Sequence, residues 1–565
     1  MIICGVKITH DGGVALIDNG RLVFSIEMEK IGNNPRHQRV DDLDVVTSLL
    51  GQYGYTLGQV DRFVLDGWRK TPRTRMWGGQ EVSIDLGPYR RGILDDDLLR
   101  PYHFRLMDLE YTSYAHYAGH MASAYCSSPF AASREASYVL CWDGAMFPFL
   151  YYYDPVTGKA ENLGPLFHLL GDTYHSLSRL FPPFEQGFES TQTASGTLPG
   201  KIMAYVAHGS PVEKVVDTLE ELYQAAEYAV LGPGPLTDDQ IGEGVGRRIL
   251  ELMCDGLPRE LAAPDDMLAS IHAFLGQKLV ARLTGRIRQD GSRSANLCLV
   301  GGCALNIKWN RDIRASEVVQ EVWIPPFPND AGSALGAACC ELLRSGEGQA
   351  LDWSVFAGPA LVDSGIPVGW EAQPCSPAEL AEYLHRLGDP VLVLHGRAEL
   401  GPRALGHRSI LAPAVAADMK GRLNQLKGRE GYRPVAPICL EASAEQVFEP
   451  GTPDPYMLFD HDVRPQWRDR VPAVCHLDGT ARLQTVNSTD DPVVFEILTE
   501  YHRISSIPLL CNTSANLSGR GFFPDLRSAM EWGRIPAVWS EGVMYRRASG
   551  SQTAPRSNNP RSEDR

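Results

Sequence analysis

Ile2-Ile3-Cys4-Gly5-Val6-Lys7-Ile8-Thr9-His10-Asp11-Gly12-Gly13-Val14-Ala15-Leu16-Ile17-Asp18 opens the chain, and its grammar returns at Tyr138-Val139-Leu140-Cys141-Trp142-Asp143-Gly144-Ala145 and residues 147–153. Each copy is an apolar run, an Asp-Gly turn and a second apolar run, which reads as a strand reversing on a turn. After Asn19-Gly20, residues 22–27 add a third strand to the first copy. A unit used twice predicts an α/β fold with a duplicated actin/hexokinase-like (ASKHA) N-terminal domain whose two loops face one cleft. Two unrelated hairpins would carry the same letters.

Composition sets the outer limits. A chain of 565 residues exceeds a single core and predicts two or more domains. Its net charge of -16 argues against nucleic acid and anionic membranes as partners. The twelve cysteines contain no Cys-x-x-Cys, so they read as reduced, buried thiols of a cytoplasmic protein. No apolar run approaches the length that spans a bilayer, and the N-terminus has no signal-type apolar region.

Between the two copies lies Tyr114-Ala115-His116-Tyr117-Ala118-Gly119-His120. Four residues is about one helical turn, so both imidazoles lie on one face and could grip one metal ion or pack as a core pair. Ala118, Gly119 and Ala122 keep the helix slim, so a second backbone can approach with a third ligand. That ligand is predicted to be Asp330 in Pro328-Asn329-Asp330-Ala331-Gly332, where it would otherwise cap the following helix. Asp143, on the second Asp-Gly turn, is a further oxygen donor or simply a turn residue.

The remaining stretches fill in around these. Residues 71–110, rich in Arg, Gly and Pro, read as an insertion, and residues 167–200 as an aromatic loop over a site. Helices are predicted over 212–227, 237–253 and 265–289, and a buried strand over 296–300 that ends in Gly301-Gly302-Cys303-Ala304-Leu305-Asn306. A Gly pair there lets a ligand touch the backbone or makes an ordinary turn. Residues 364–376 read as a linker, followed by a helix over 377–387 and a strand over 390–394. From Gly396 to Arg433 six Arg and two Lys face three acids, a local reversal of the overall charge. Cations on Gly-rich turns suit a triphosphate or acyl phosphate, or form a solvated basic face. Lys427, Arg433, Arg482 and the closing Asn512-Thr513-Ser514-Ala515-Asn516 belong to this half, and residues 548–565 read as a disordered tail.

Taken in order, His10-Asp11-Gly12, His116-x-x-x-His120, Trp142-Asp143-Gly144, Gly301-Gly302-Cys303-Ala304-Leu305-Asn306, Asn329-Asp330-Ala331-Gly332, residues 401–411 (Gly-Pro-Arg-Ala-Leu-Gly-His-Arg-Ser-Ile-Leu) and Asn512-Thr513-Ser514-x-Asn516 resemble the O-carbamoyltransferases of natural-product biosynthesis, the NodU/CmcH type. The resemblance covers residues 2–545. It implies an ASKHA-type transfer domain over 1–362 and a YrdC-like α/β domain over 363–547 that forms carbamoyl adenylate from carbamoyl phosphate and ATP with Mg2+. It also implies that His116, His120, Asp143 and Asp330 surround a divalent ion, Fe2+ for choice, and that His10, with Lys30, is catalytic. Arg403, Lys427, Arg433, Arg482, Ser514 and Asn516 would hold nucleotide and acyl phosphate, and Asn306, Gly301 and Gly302 would line an adenylate site in the first domain. Two departures stand out: the family's Glu cluster followed by Arg reads here Glu27-Met28-Glu29-Lys30, then Arg36-His37, and Ala515 stands where members commonly carry Phe.

The expected acceptor is a natural-product alcohol, a glycosylated macrolide or hydroxymethyl cephem, and the oligomer is compatible with a homodimer. Trp68, Trp77, Tyr174 and Phe184 would stack on such an acceptor or pack locally. A threonylcarbamoyl-type transferase acting on tRNA lacks a basic surface, and a non-catalytic nucleotide sensor would lack the metal set.

Overall fold

The computed structural model describes every residue except 70, 93–96, 186–196, 235–236, 238–239, 292–294, 347 and 549–565. The middle of the expected loop over 167–200 and nearly all of the expected tail lie outside the described residues.

The opening stretch forms β1 (Ile2–Lys7) and β2 (Gly13–Asp18), followed by β3 (Arg21–Glu27) and β4 (Arg62–Asp66). A separate hairpin pairs β5 (Arg73–Trp77) with β6 (Gln80–Ile84), and β7 (Tyr102–Leu106) and β8 (Leu109–Tyr114) return to the first sheet, whose order is β3-β2-β1-β4-β8-β7. The second sheet contains β9 (Ser137–Cys141), β10 (Phe149–Asp154), β11 (Lys159–Pro165), β12 (Asn296–Val300) and β13 (Glu321–Trp323) in the order β11-β10-β9-β12-β13. In each sheet an antiparallel meander leads back to a central strand, which is flanked on its other side by two parallel strands. The repeated grammar thus appears as a repeated topology. Buried apolar runs on β1, β9 and β12 fit central strands covered on both faces.

The last parallel strand of each copy is followed by a helix, His116–Cys126 after β8 and Ser333–Ser345 after β13. These two cross where a Cβ on Gly336 would stand 2.4 Å from the Gly119 carbonyl oxygen. A Cβ on Gly5 in β1 would likewise stand 2.1 Å from the Ala334 carbonyl oxygen. Small residues therefore bring the two copies together along one line.

The third sheet is built from β14 (Trp370–Pro374), β15 (Val391–Leu394), β16 (Arg408–Ala412), β17 (Ala436–Leu440), β21 (Gln484–Val486), β22 (Leu509–Ser514), β23 (Ala537–Ser540) and β24 (Val543–Arg547). Its order is β14-β24-β23-β15-β16-β22-β17-β21, and β18 (Phe448–Glu449), β19 (His461–Val463) and β20 (Thr480–Ala481) form a small sheet beside it. Two expectations are corrected here. The stretch read as a linker contains β14, paired along its length with β24. The stretch read as an insertion joins the first sheet through β7 and buries Val82, Ile84 and Leu86.

The third sheet is pinned to the first. Arg397 donates to the carbonyls of Val23 (2.9 Å), Ala357 (2.6 Å) and Gly358 (2.9 Å). Residues 33–36 are stapled to 519–521 by Arg520 Nη1 to Asn33 O (2.6 Å), Gly521 N to Asn34 O (3.1 Å) and Arg36 N to Gly519 O (3.0 Å). A Cβ on Gly521 would fall 1.8 Å from Glu29 O, so no larger residue fits this junction.

Candidate active site

The two Asp-Gly turns and the starts of the two crossing helices meet at one point. His116 and His120 are buried, with their Nε2 atoms 3.1 Å apart. Asp330 brings Oδ1 to 3.2 Å from His116 Nε2 and 3.3 Å from His120 Nε2. Asp143 joins them, all four donor atoms lying within 4.8 Å of one another. Asp330 does not cap the helix it precedes. Neither of its buried carboxylate oxygens makes a well-formed hydrogen bond, although Lys7 Nζ stands 3.3 Å from Oδ2, an arrangement that a further cation would relieve.

The surroundings fix these donors. Asp66, at the end of β4, accepts from His116 Nδ1 at 2.9 Å, which turns Nε2 toward the cluster in the carboxylate–histidine arrangement typical of metal ligands. Lys7 lies 2.9 Å from Asp66 and 3.3 Å from Asp330. Burial alone would discharge Lys7, but Asp330 and Asp66 outweigh it and raise its pKa. The same contest at His116, burial against Asp66 and Asp330, raises the ring to about 9, while the cations around Asp330 outweigh its burial and hold it well below the usual carboxylate range. Asp143 is oriented by Tyr89 Oη (3.0 Å) and the Gly302 amide (2.9 Å). Two imidazoles and two carboxylates around one point fit a divalent first-row ion.

His10 lies at the rim, its Nε2 3.5 Å from Asp330 and its Nδ1 2.9 Å from Asp11. Trp68 packs edge-on against both His10 and His116, with ring centres 4.9 Å away in each case. Of the four aromatic residues singled out from the sequence, Trp68 alone touches this cluster. Tyr174 hydrogen-bonds His272 in the core, Phe184 packs on Tyr205, and Trp77 lines an apolar cavity with Val6 and Leu65.

A second cluster lies across the junction. Arg403 is held well below its ordinary pKa by burial and then by Arg482, Arg36 and Arg433. Arg482 is lowered to about 10 by burial and Arg433. The Nε atoms of Arg403 and Arg482 are buried without a partner. Lys427 directs its ammonium to the Ser514 carbonyl (2.7 Å), the Asn516 carbonyl (2.8 Å) and Asn516 Oδ1, and Ser514 Oγ donates to the same Oδ1 at 2.6 Å. Arg36, which the sequence did not single out for this role, joins the cluster from the first half of the chain. A small cleft is lined by Asp11, Glu29, Arg36, His37, Asn329 and Pro402; Asn329 precedes Asp330 in the chain and Pro402 precedes Arg403.

Three expected residues stand apart. Lys30, expected to be catalytic, is buried and gives its ammonium to Glu27 Oε2 (2.5 Å), Glu399 O (2.5 Å) and Gly401 O (2.8 Å). All three donors are engaged, so in this arrangement it ties the halves together rather than facing the cleft. Gly301 makes the turn behind Asp143, at φ +90 with Trp142 O 2.4 Å from its Cβ direction, and Asn306 caps the helix Ile307–Arg314 through the Trp309 amide (3.4 Å). Conversely, Lys7, Asp66 and Tyr89 support the cluster without having been expected there. Asp66-Gly67, ending β4 as Gly301 follows β12, was the one available sequence signal.

The comparisons with known proteins identify the family. The family description "Carbamoyltransferase N-terminus" matches residues 2–77 and 88–339, and "Carbamoyltransferase C-terminus" matches 381–535. Nodulation protein U of Rhizobium tropici is 46% identical over 98% of this chain and 98% of its own. Nodulation protein U of Sinorhizobium fredii is 44% identical over 98% of this chain and all of its own. The 3'-hydroxymethylcephem-O-carbamoyltransferase of Streptomyces clavuligerus is 29% identical over 98% of this chain and all of its own. Among the described residues no helix is long and apolar enough to cross a membrane. With both family regions matched and relatives aligned from end to end, the chain belongs to the O-carbamoyltransferase family of the NodU/CmcH type.

Proposed function

We propose that the enzyme makes carbamoyl adenylate at the arginine cluster and transfers its carbamoyl group to an alcohol at the His116/His120/Asp330 cluster. The observation that supports this reading is a cleft lined both by Asp11, the partner of His10, and by Arg36, whose charge acts on Arg403. In the first step carbamoyl phosphate loses phosphate to water. The carbamate formed attacks the α-phosphorus of ATP with Mg2+, and pyrophosphate leaves. Arg403, Arg433 and Arg482 suit the polyanion because each guanidinium pairs two oxygens, and of the three Arg433 has a carboxylate, Glu430, at 3.9 Å. Lys427 holds the 514–516 loop against them. This division assigns an ASKHA-type role to the first two sheets and a YrdC-like role to the third.

In the second step the acceptor oxygen attacks the carbamoyl carbon, the carbon–oxygen bond to phosphate breaks, and AMP leaves. His10 takes the acceptor proton on Nε2. Its Nδ1–H is held by Asp11, which leaves Nε2 as the basic nitrogen. His116, His120, Asp143 and Asp330 would hold a divalent ion, Fe2+ being our choice. Such an ion, when bound, supplies a Lewis acid for the carbonyl oxygen. The acceptor class we propose is an alcohol such as the hydroxymethyl group named in the cephem relative. The test combines ATP-dependent pyrophosphate release with an acceptor screen read as the mass gain of one carbamoyl group. His10→Ala is expected to keep pyrophosphate release and lose transfer by about 100-fold or more. Full transfer by that variant removes His10 from the mechanism.

A further inference from the structure

A side chain absent from the proposed chemistry stands directly behind His10. His37 Nδ1 lies 2.8 Å from Asp11 Oδ1, while Asp11 Oδ2 lies 2.9 Å from His10 Nδ1. The carboxylate thus lies between two rings, one oxygen to each. A carboxylate accepts and does not donate, so both facing Nδ1 atoms carry hydrogen.

The backbone is bent to make this possible. Asp11 and His37 both adopt left-handed conformations, at φ +52 and +63, which cost a non-glycine residue of order 1 kcal/mol or more. Asp11 N donates to His37 O (3.3 Å) and Gly12 N to Gln38 O (2.8 Å), so the two bends brace each other. The His37 amide donates to Glu29 Oε2 at 3.0 Å. A Cβ on Gly12 would stand 2.6 Å from Val40 N, so the two segments meet where only glycine fits. Arg36, one residue earlier, belongs to the arginine cluster.

We infer that His37 is a positioning residue for transfer: through Asp11 it fixes the ring orientation and tautomer of His10, so that Nε2 faces the acceptor. The inference rests on the reading of His10 as the proton acceptor. Without His37, Asp11 Oδ1 loses its side-chain donor, and the carboxylate can turn about its own Cβ–Cγ bond and release His10 from the productive tautomer.

Three substitutions separate this role from mere support of the fold. Asn tolerates the left-handed region and carries an amide nitrogen where His37 has Nδ1, so His37→Asn keeps the donor. His37→Gln moves its donor one carbon outward, and His37→Leu has none. Pyrophosphate release without acceptor and carbamoyl transfer at saturating carbamoyl phosphate and ATP are measured for each, with 3'-hydroxymethylcephem as the alcohol. AMP release with water as acceptor is read in parallel, so the outcome does not hang on one alcohol. The expected result is a fall in transfer kcat of about 10-fold to 100-fold for His37→Leu and His37→Gln, within about threefold of wild type for His37→Asn. KM and pyrophosphate release stay within about twofold throughout. Unchanged kcat in the Leu and Gln variants overturns the inference. So does an equal loss in the Asn and Gln variants, or a parallel loss of pyrophosphate release, since either outcome makes His37 a prop for the fold. His10→Ala, run alongside, separates the two readings: if it transfers normally the reading of His10 has failed, whereas a dead His10→Ala beside an active His37→Leu condemns this inference alone.

Discussion

In the front pocket Lys7 stands 2.9 Å from Asp66 and 3.3 Å from Asp330, whereas at the rear Arg403 and Arg482 have no carboxylate within ion-pair distance among the described residues. In the front cluster cations and carboxylates stand together, Lys7 beside Oδ2 of Asp330 and the two imidazoles beside its Oδ1. In the rear cluster burial, and after it the neighbouring guanidiniums, lower the pKa of Arg403, Arg482 and Arg429, with Glu430 standing beside Arg433. A nearly balanced site suits a small cation and a neutral acceptor, which enter without a large change in field. An unbalanced one gains most from a polyanion, because the ligand cancels repulsion already built into the protein.

The comparison breaks most sharply under paired substitutions. Arg403→Ala is expected to cut ATP-dependent pyrophosphate release by about 100-fold to 1000-fold, the scale of losing one aligned donor to a developing charge. Carbamoyl adenylate supplied from outside should still be converted to product. His120→Ala should do the reverse, with pyrophosphate release intact, supplied adenylate unused and bound metal lost on elemental analysis. Arg403→Ala that remains inactive with supplied adenylate would show that the two pockets do not divide the work.

A milder break acts on the line where the copies meet. Gly336→Ala places a methyl group 2.4 Å from the Gly119 carbonyl oxygen, so the helices His116–Cys126 and Ser333–Ser345 must part. Overpacking of this kind costs about 1–3 kcal/mol, and here it also draws Asp330 from the two histidines. Metal content and transfer should fall together, with pyrophosphate release retained. A variant that melts lower but keeps its metal would mean that the front donors do not depend on this crossing.

What the sequence disclosed follows the range of the forces involved. The strands around both Asp-Gly turns were legible because their apolar runs are local, and the slim helix bearing His116 and His120 because small residues at helical spacing announce a close neighbour. Lys7, Asp66 and Tyr89 were not, since they reach the site from β1, from β4 and from the segment between β6 and β7, and no spacing links them. The strand Trp370–Pro374 was read as a linker because its partner, β24, lies some 170 residues later in the chain. Tyr174 and Phe184 have the composition of a ligand wall, and only three-dimensional neighbours could show that they pack inward. Lys30, taken as catalytic from the family resemblance, has acceptors that its own neighbourhood in the chain could not show, since its carbonyl partners come from residues 399 and 401.

The smallest expected effect concerns that last residue and separates stability from chemistry. Burial, opposed by Lys30, raises the Glu27 carboxyl to about 7, above its ordinary value near 4.5. A carboxyl raised in the folded state stabilises the fold below its unfolded pKa, and that contribution is lost as pH rises toward the folded value, here from about 4.5 to 7. Lys30→Met removes the opposing cation and raises Glu27 further, so the variant should go on losing stability above pH 7, at up to about 1.4 kcal/mol per pH unit, where the wild type has levelled off. Urea unfolding midpoints at pH 5, 7 and 8.5 read the difference. Lys30→Met should retain measurable transfer at pH 6 because its ammonium is wholly engaged with Glu27, Glu399 and Gly401. A variant as stable as wild type at all three values but devoid of transfer would return Lys30 to the cleft as a catalytic group and make the junction between front and rear pockets part of the chemistry.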